Sequence, residues 1–98
     1  MLKEMTERIL HFRDERGWEP FHDPKDLAIS ISLEANELLE NFQWKSTEQA
    51  LRENKQNIKE EMADVLIYLV QLADKLDIDL EVEVAHKLVK NAVKYPVK

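Results

Sequence analysis

A chain of 98 residues with one glycine, three prolines and no cysteine has room for one small domain over residues 1–98. Its 35% charged and 44% hydrophobic residues suit amphipathic helices. Without cysteine there is no disulfide framework, no thiolate nucleophile and no cysteine-based zinc or iron–sulfur site, which fits a reducing, cytoplasmic setting. A net charge of −6 argues against binding nucleic acid polymers, and the sequence carries neither the pattern of a secretion signal nor an apolar run of the ~18 residues a membrane span requires.

From Leu2 to Arg16 the apolar residues Leu2, Met5, Ile9, Leu10 and Phe12 recur at helical spacing, with Gly17 as a stop signal. The segment from Trp18 to Pro24 holds two prolines and reads as an ordered loop anchored by Trp18 and Phe21. Asp23 is placed to cap a second helix that has Pro24 at its first position and runs to about Gln43. Ser46, with Gln49 three residues on, has the form of a capping box. The stretch from Thr47 to Leu76 far exceeds the usual mean of ~11–12 residues, so a break is expected near Glu53 to Lys55. Asp79 caps a final helix from Leu80 to about Lys94, ended by Tyr95-Pro96. The predicted fold is an all-α bundle of four or five helices. So short a chain removes a modest share of its surface from water, so subunit association is expected to complete the core.

Two of these helices carry acids where apolar residues belong. Leu27, Ile31, Glu34 and Leu38 share one stripe of the second helix, and Glu37 lies beside Glu34 on the same side. Ile58, Glu61, Val65, Leu69, Leu72 and Leu76 form the stripe of the third, with Asp64 three residues after Glu61. An ionised carboxylate in an apolar seam is costly unless compensated, and no Arg or Lys occurs within 27–41 or 60–73. A divalent cation is the simplest neutraliser; the bland alternative is that these acids sit on solvated faces, as most surface acids do. Oxygen-only ligands favour Mg²⁺ or Mn²⁺ over zinc, and Mg²⁺ commonly shares its coordination with substrate phosphates. The spacing predicts that the second helix packs antiparallel to the third with the two acidic pairs facing.

Glu34-Ala-Asn-Glu37, Phe42-Gln43-Trp44-Lys45, Glu61-Met-Ala-Asp64-Val-Leu-Ile-Tyr68, Lys90-Asn91 and Lys94-Tyr95-Pro96 together resemble the MazG-like superfamily of all-α nucleoside triphosphate pyrophosphohydrolases. The likeness is greatest to its short branch, which includes dCTP pyrophosphatase, and runs from about residue 10 to residue 97. The resemblance implies cleavage of a nucleoside triphosphate between its α and β phosphorus atoms, with Glu34, Glu37, Glu61 and Asp64 holding the metal. It also implies dCTP-like substrates, a housecleaning role and a homodimer or homotetramer. Candidates for the base that takes a proton from water are Glu37, Glu40 and Glu60. The larger MazG pattern opens with two adjacent acids, whereas here Leu33 precedes Glu34, which leaves any base role of that missing acid without a bearer.

His86 to Lys98 contains four lysines and no acid, and Lys87, Lys90 and Lys94 recur at steps of three and four. Read alone this is a solvated face with charges suited to a helix C-terminus; the resemblance makes Lys87, Lys90, Asn91, Lys94 and Tyr95 phosphate- or substrate-binding. Trp18, Trp44 and Tyr68 occupy positions that in the resembled branch contribute to a base and sugar pocket, although aromatics more often serve packing.

Two rival readings belong to other classes. A di-iron bundle wants Glu-x-x-His elements, and Glu19/His22 and Glu83/His86 match in spacing, but the first spans Pro20 and the second splits across two helix faces. A non-enzymatic helical adaptor or antitoxin-like module needs no metal at all. With one glycine, neither a P-loop nor a Rossmann pattern exists.

Overall fold

The computed structural model describes residues 2–98. It contains α1 (Leu2–Glu15), a 3₁₀ turn at Glu19–Phe21, α2 (Pro24–Glu40), α3 (Thr47–Lys75) and α4 (Leu80–Lys94), with no strand among the described residues. The all-α expectation holds, with four helices.

α1 ends where Gly17 takes a left-handed φ of 64°. The Trp18 amide donates to the Arg13 carbonyl (3.3 Å) and the Gly17 amide to that of Asp14 (3.0 Å), a Schellman ending that needs a residue without a Cβ clash. Arg13 is buried beneath this turn, and its guanidinium donates to Asp14 (2.9 Å) and to Asp74 at the far end of α3 (2.8 Å). Lys75 donates to both the Glu19 carbonyl (3.0 Å) and its carboxylate (2.8 Å), so the Trp18–Phe21 turn is tied to α3 at two points. Trp18 packs edge-on against Phe12. The expected second anchor fails: Phe21 is 81% exposed, and His22 turns inward instead, partly buried near Trp18.

Asp23 caps α2 by accepting from the Lys25 amide (3.1 Å), with Pro24 at the first position as expected. α2 stops at Glu40 rather than near Gln43. The amides of Asn41, Phe42 and Gln43 donate to carbonyls three residues back, which tightens the chain into a turn that Trp44 closes with φ 62°. This short connection makes α2 and α3 an antiparallel pair.

Ser46 accepts from the Gln49 amide (3.1 Å) and starts α3. The reciprocal half of the expected capping box is missing, because the Gln49 side chain engages Glu53 instead. The expected break near Glu53 to Lys55 is absent: α3 runs unbroken for 29 residues. Asparagines weaken helices by bonding to nearby backbone in competing conformations. Asn54 and Asn57 are drawn away from their own backbone, donating across to Asn41 on the neighbouring segment (2.9 and 2.8 Å).

The buried apolar residues are Leu27 on α2 and Ala50, Ile58, Val70 and Ala73 on α3. The core is therefore the α2–α3 seam, with α1 lying along α3. α4 starts at Asp79, which accepts from the Val82 amide (3.3 Å), but buries none of its residues. No described helix is long and apolar enough to cross a membrane.

Candidate metal centre

The acids of the two seams meet. Glu34 from α2 and Glu61 and Asp64 from α3 each offer a carboxylate oxygen, and these atoms lie within 4.8 Å of one another. Helical periodicity brings this about: one turn of α3 separates Glu61 from Asp64, and the antiparallel pairing sets Glu34 opposite them. All three are partly buried.

Carboxylates cannot donate to one another unless one holds a proton, and Oε2 of Glu34 and Oε2 of Glu61 are both buried without a hydrogen-bond partner. Burial, contact with Glu61 and Glu37, and the charges of Glu37 and Asp64 push the Glu34 carboxyl up to about 7. The neighbouring Glu34 carboxyl pulls Glu61 down, but burial together with Glu37 and Asp64 outweighs it and leaves the group above its ordinary range. Two orphaned buried oxygens in a group of three acids, which no cation among the described residues pairs, fit a hard divalent cation: the donors are all oxygen and the charge is uncompensated.

The other candidates fall into distinct places. Glu37 is exposed and lies against Glu34 at the rim of the group. Glu40 and Glu60 are exposed and outside the three-ligand group; Glu40 accepts from Asn36 at 3.5 Å. Tyr68 is partly buried one turn beyond Asp64. Trp18 stands at the α1–α2 turn, and Trp44 is 98% exposed. Lys87, Lys90, Lys94 and Tyr95 are exposed along α4 and its end, and Asn91 is partly buried there; this helix packs only sparsely on the rest of its own chain. The Glu83–His86 pair approaches to 3.9 Å on an exposed face of α4, away from the acidic group, and Glu19 is occupied by Lys75.

The sequence reading missed Asn41. It is buried, donates from Nδ2 to the carbonyls of Glu37 (3.3 Å) and Leu38 (3.4 Å), and accepts from Asn54 and Asn57 through its carbonyl and side-chain oxygens. Three asparagines, two of them inside an otherwise strong helix, were the available signal.

Fold and site together define an all-α protein with an all-oxygen group of acids, able to hold a cation, between two antiparallel helices. The chain belongs to the MazG-like family, which matches residues 29–98. It is 43% identical over 97 residues to dCTP pyrophosphatase 1 of Mus musculus, covering 92% of this chain and 57% of that protein. To dCTP pyrophosphatase 1 of Homo sapiens it is 41% identical, covering 91% and 56%. The chain thus spans little more than half the length of these curated relatives. A crystal structure of a pyrophosphatase from Archaeoglobus fulgidus superposes with a TM-score of 0.89 at 45% identity, covering 98% of this chain and 93% of that one.

Proposed function

We propose that this chain is a divalent-cation-dependent nucleoside triphosphate pyrophosphohydrolase, using Mg²⁺ with Mn²⁺ as a substitute. It cleaves between the α and β phosphates to give a monophosphate and pyrophosphate. The observation that carries the reading is the meeting of Glu34, Glu61 and Asp64 with two buried carboxylate oxygens left unpaired. Structural ion pairs would bring their own cation, and none among the described residues pairs with these acids.

Glu34, Glu61 and Asp64 would hold the metal, with Glu37 at the rim free to join them or to act on water. A cation there would neutralise phosphate charge and orient a water for in-line attack. Glu37 is the base best placed of the three candidates, since it borders the metal group while Glu40 and Glu60 lie outside it. Trp18, Trp44 and Tyr68 supply aromatic surface for base and sugar, and the lysines of α4 with Asn91 and Tyr95 supply phosphate contacts. The sparse packing of α4 on its own chain suits lysines that serve a site shared between copies, in a homodimer or homotetramer. The relatives' names support dCTP-like substrates, and with them goes a role in cleaning the nucleotide pool, in the cytoplasm.

The test is a screen of canonical and damaged nucleoside triphosphates with separate detection of pyrophosphate and orthophosphate. Pyrophosphate with a monophosphate is the expected product pair, lost on chelation. Orthophosphate with a diphosphate would refute the α–β cleavage.

A further inference from the structure

One turn from the metal group, away from Tyr68, the seam between α2 and α3 is still polar but no longer charged. Glu34, Glu37 and Asn41 follow at steps of three and four on α2 and its end; Asn57, Glu61 and Asp64 follow at steps of four and three on α3. The acid pairs thus continue into a pair of amides, Asn41 and Asn57, bonded to each other. Asn57 Nδ2 donates to Asn41 Oδ1 at 2.8 Å, and Asn54 Nδ2, one turn earlier, donates to the Asn41 main-chain carbonyl at 2.9 Å. Asn41 in turn donates to the Glu37 carbonyl at 3.3 Å, so the contact reaches the backbone of an acid at the metal group.

Apolar packing at Leu27 and Ile58 carries no directional bond between α2 and α3, and the nearby carboxylates repel until a cation arrives. Hydrogen bonds are less tolerant of a shift: a slide of one turn, about 5.4 Å, would carry both asparagine donors to roughly 6 Å from their acceptors, far beyond bonding distance. Two donors a turn apart on α3 gripping two acceptors on a single residue make a register mark, the role that buried polar contacts serve best.

We propose that Asn41, Asn54 and Asn57 form a clasp that sets the register of α2 against α3 and so holds Glu34 level with Glu61 and Asp64 before metal arrives. This rests on the metal-centre reading above. Asn57 acts through Asn41 and touches neither metal nor substrate; it is a positioning residue. Outer contacts that orient ligands typically change metal affinity by ~10–100-fold when removed.

The experiment titrates Mn²⁺ into the nucleotide-free protein by electron paramagnetic resonance, alongside melting temperature in chelator. Wild-type protein that binds no Mn²⁺ at millimolar concentration defeats the metal-centre reading itself. Given wild-type binding, Asn57→Ala, at an exposed position, is expected to weaken Mn²⁺ binding about tenfold. Its turnover should recover at saturating metal, so the metal activation constant shifts while kcat returns. Asp74→Asn loses the Arg13 pair at the far end of α3 and serves as the stability control; it should lower the melting temperature and leave Mn²⁺ binding unchanged. Asn57→Ala with wild-type Mn²⁺ affinity overturns the clasp, and so does an equal loss of affinity in Asp74→Asn, which would trace the effect to general destabilisation.

Discussion

A carboxyl that titrates near neutrality inside a helix seam ties stability to pH. Glu34 ordinarily ionises near 4.5, and burial with its acidic neighbours raises it to about 7 in the folded chain. Below 4.5 both folded and unfolded states hold the proton; between 4.5 and 7 only the folded state does, so it is the unfolded state that gains by ionising as pH rises. The metal-free protein is therefore expected to lose melting temperature from pH 4.5 to 7 and then level off. Added Mg²⁺ should reverse the trend, since the cation requires the ionised carboxylates; a metal-free melting profile flat over this window would remove Glu34 from the seam. Trp44 poses a second residue-scale question, because a bulky aromatic held at φ 62° and left 98% exposed gains nothing for its own fold. Trp44→Gly should raise the melting temperature of the nucleotide-free protein by a few degrees, from relief of roughly 1 kcal/mol of backbone strain. Its KM for a deoxynucleoside triphosphate should rise at least about fivefold if the indole stacks on the base, a contact worth about 1–3 kcal/mol. An unchanged KM would assign Trp44 to subunit packing.

At the scale of elements, the helices were legible because their signals are local. Asp23, Ser46 and Asp79 cap as their side-chain oxygens allow, and the acids of α2 and α3 stood out against apolar periodicity. What escaped was everything decided across the seam. The length of the stretch argued for a break near Glu53 to Lys55, yet the amides of Asn54 and Asn57 find Asn41, 13 and 16 positions earlier, and the helix continues. Phe21 looked like an anchor because it is aromatic, while the turn around it is held instead by Lys75 on Glu19. Among the site residues, periodicity placed Glu34, Glu61 and Asp64 together, but it could not separate them from Glu37, whose position at the rim depends on how the helices rotate about their axes. The seam itself carries a prediction. Glu34→Gln and Asp64→Asn keep volume and remove charge, so turnover should fall by orders of magnitude, while the melting temperature in chelator should hold or rise as repulsion is relieved. Loss of metal-free stability in both variants would mark the acids as structural.

The whole molecule is too open for its size. A folded monomer of this mass exposes about 5,800 Å², whereas this chain exposes 7876 Å². Its radius of gyration is 16.2 Å, against about 12.6 Å for a compact chain of 98 residues. Part of the exposed surface lies on α4, where Val82, Leu88, Val89 and Val93 are exposed on a helix with no buried residue. Charge is distributed lengthwise on the same helix: Glu81 and Glu83 lie in its first turn, and Lys87, Lys90 and Lys94 follow toward its end. Two such helices laid antiparallel would match acid to base at both ends and cover the valines between, which is what a two-fold interface requires. Light scattering at micromolar concentration should therefore give a dimer or tetramer. Val89→Glu, which places a charge in the middle of that face without touching the acidic group, should lower the mass toward that of the monomer. The melting temperature should then depend on protein concentration for the wild type and not for the variant. Because the lysines of α4 lie far from support within their own chain, dissociation should also raise KM for the nucleotide. A monodisperse wild-type monomer with full activity would show instead that the open face of α4 is tolerated as it stands.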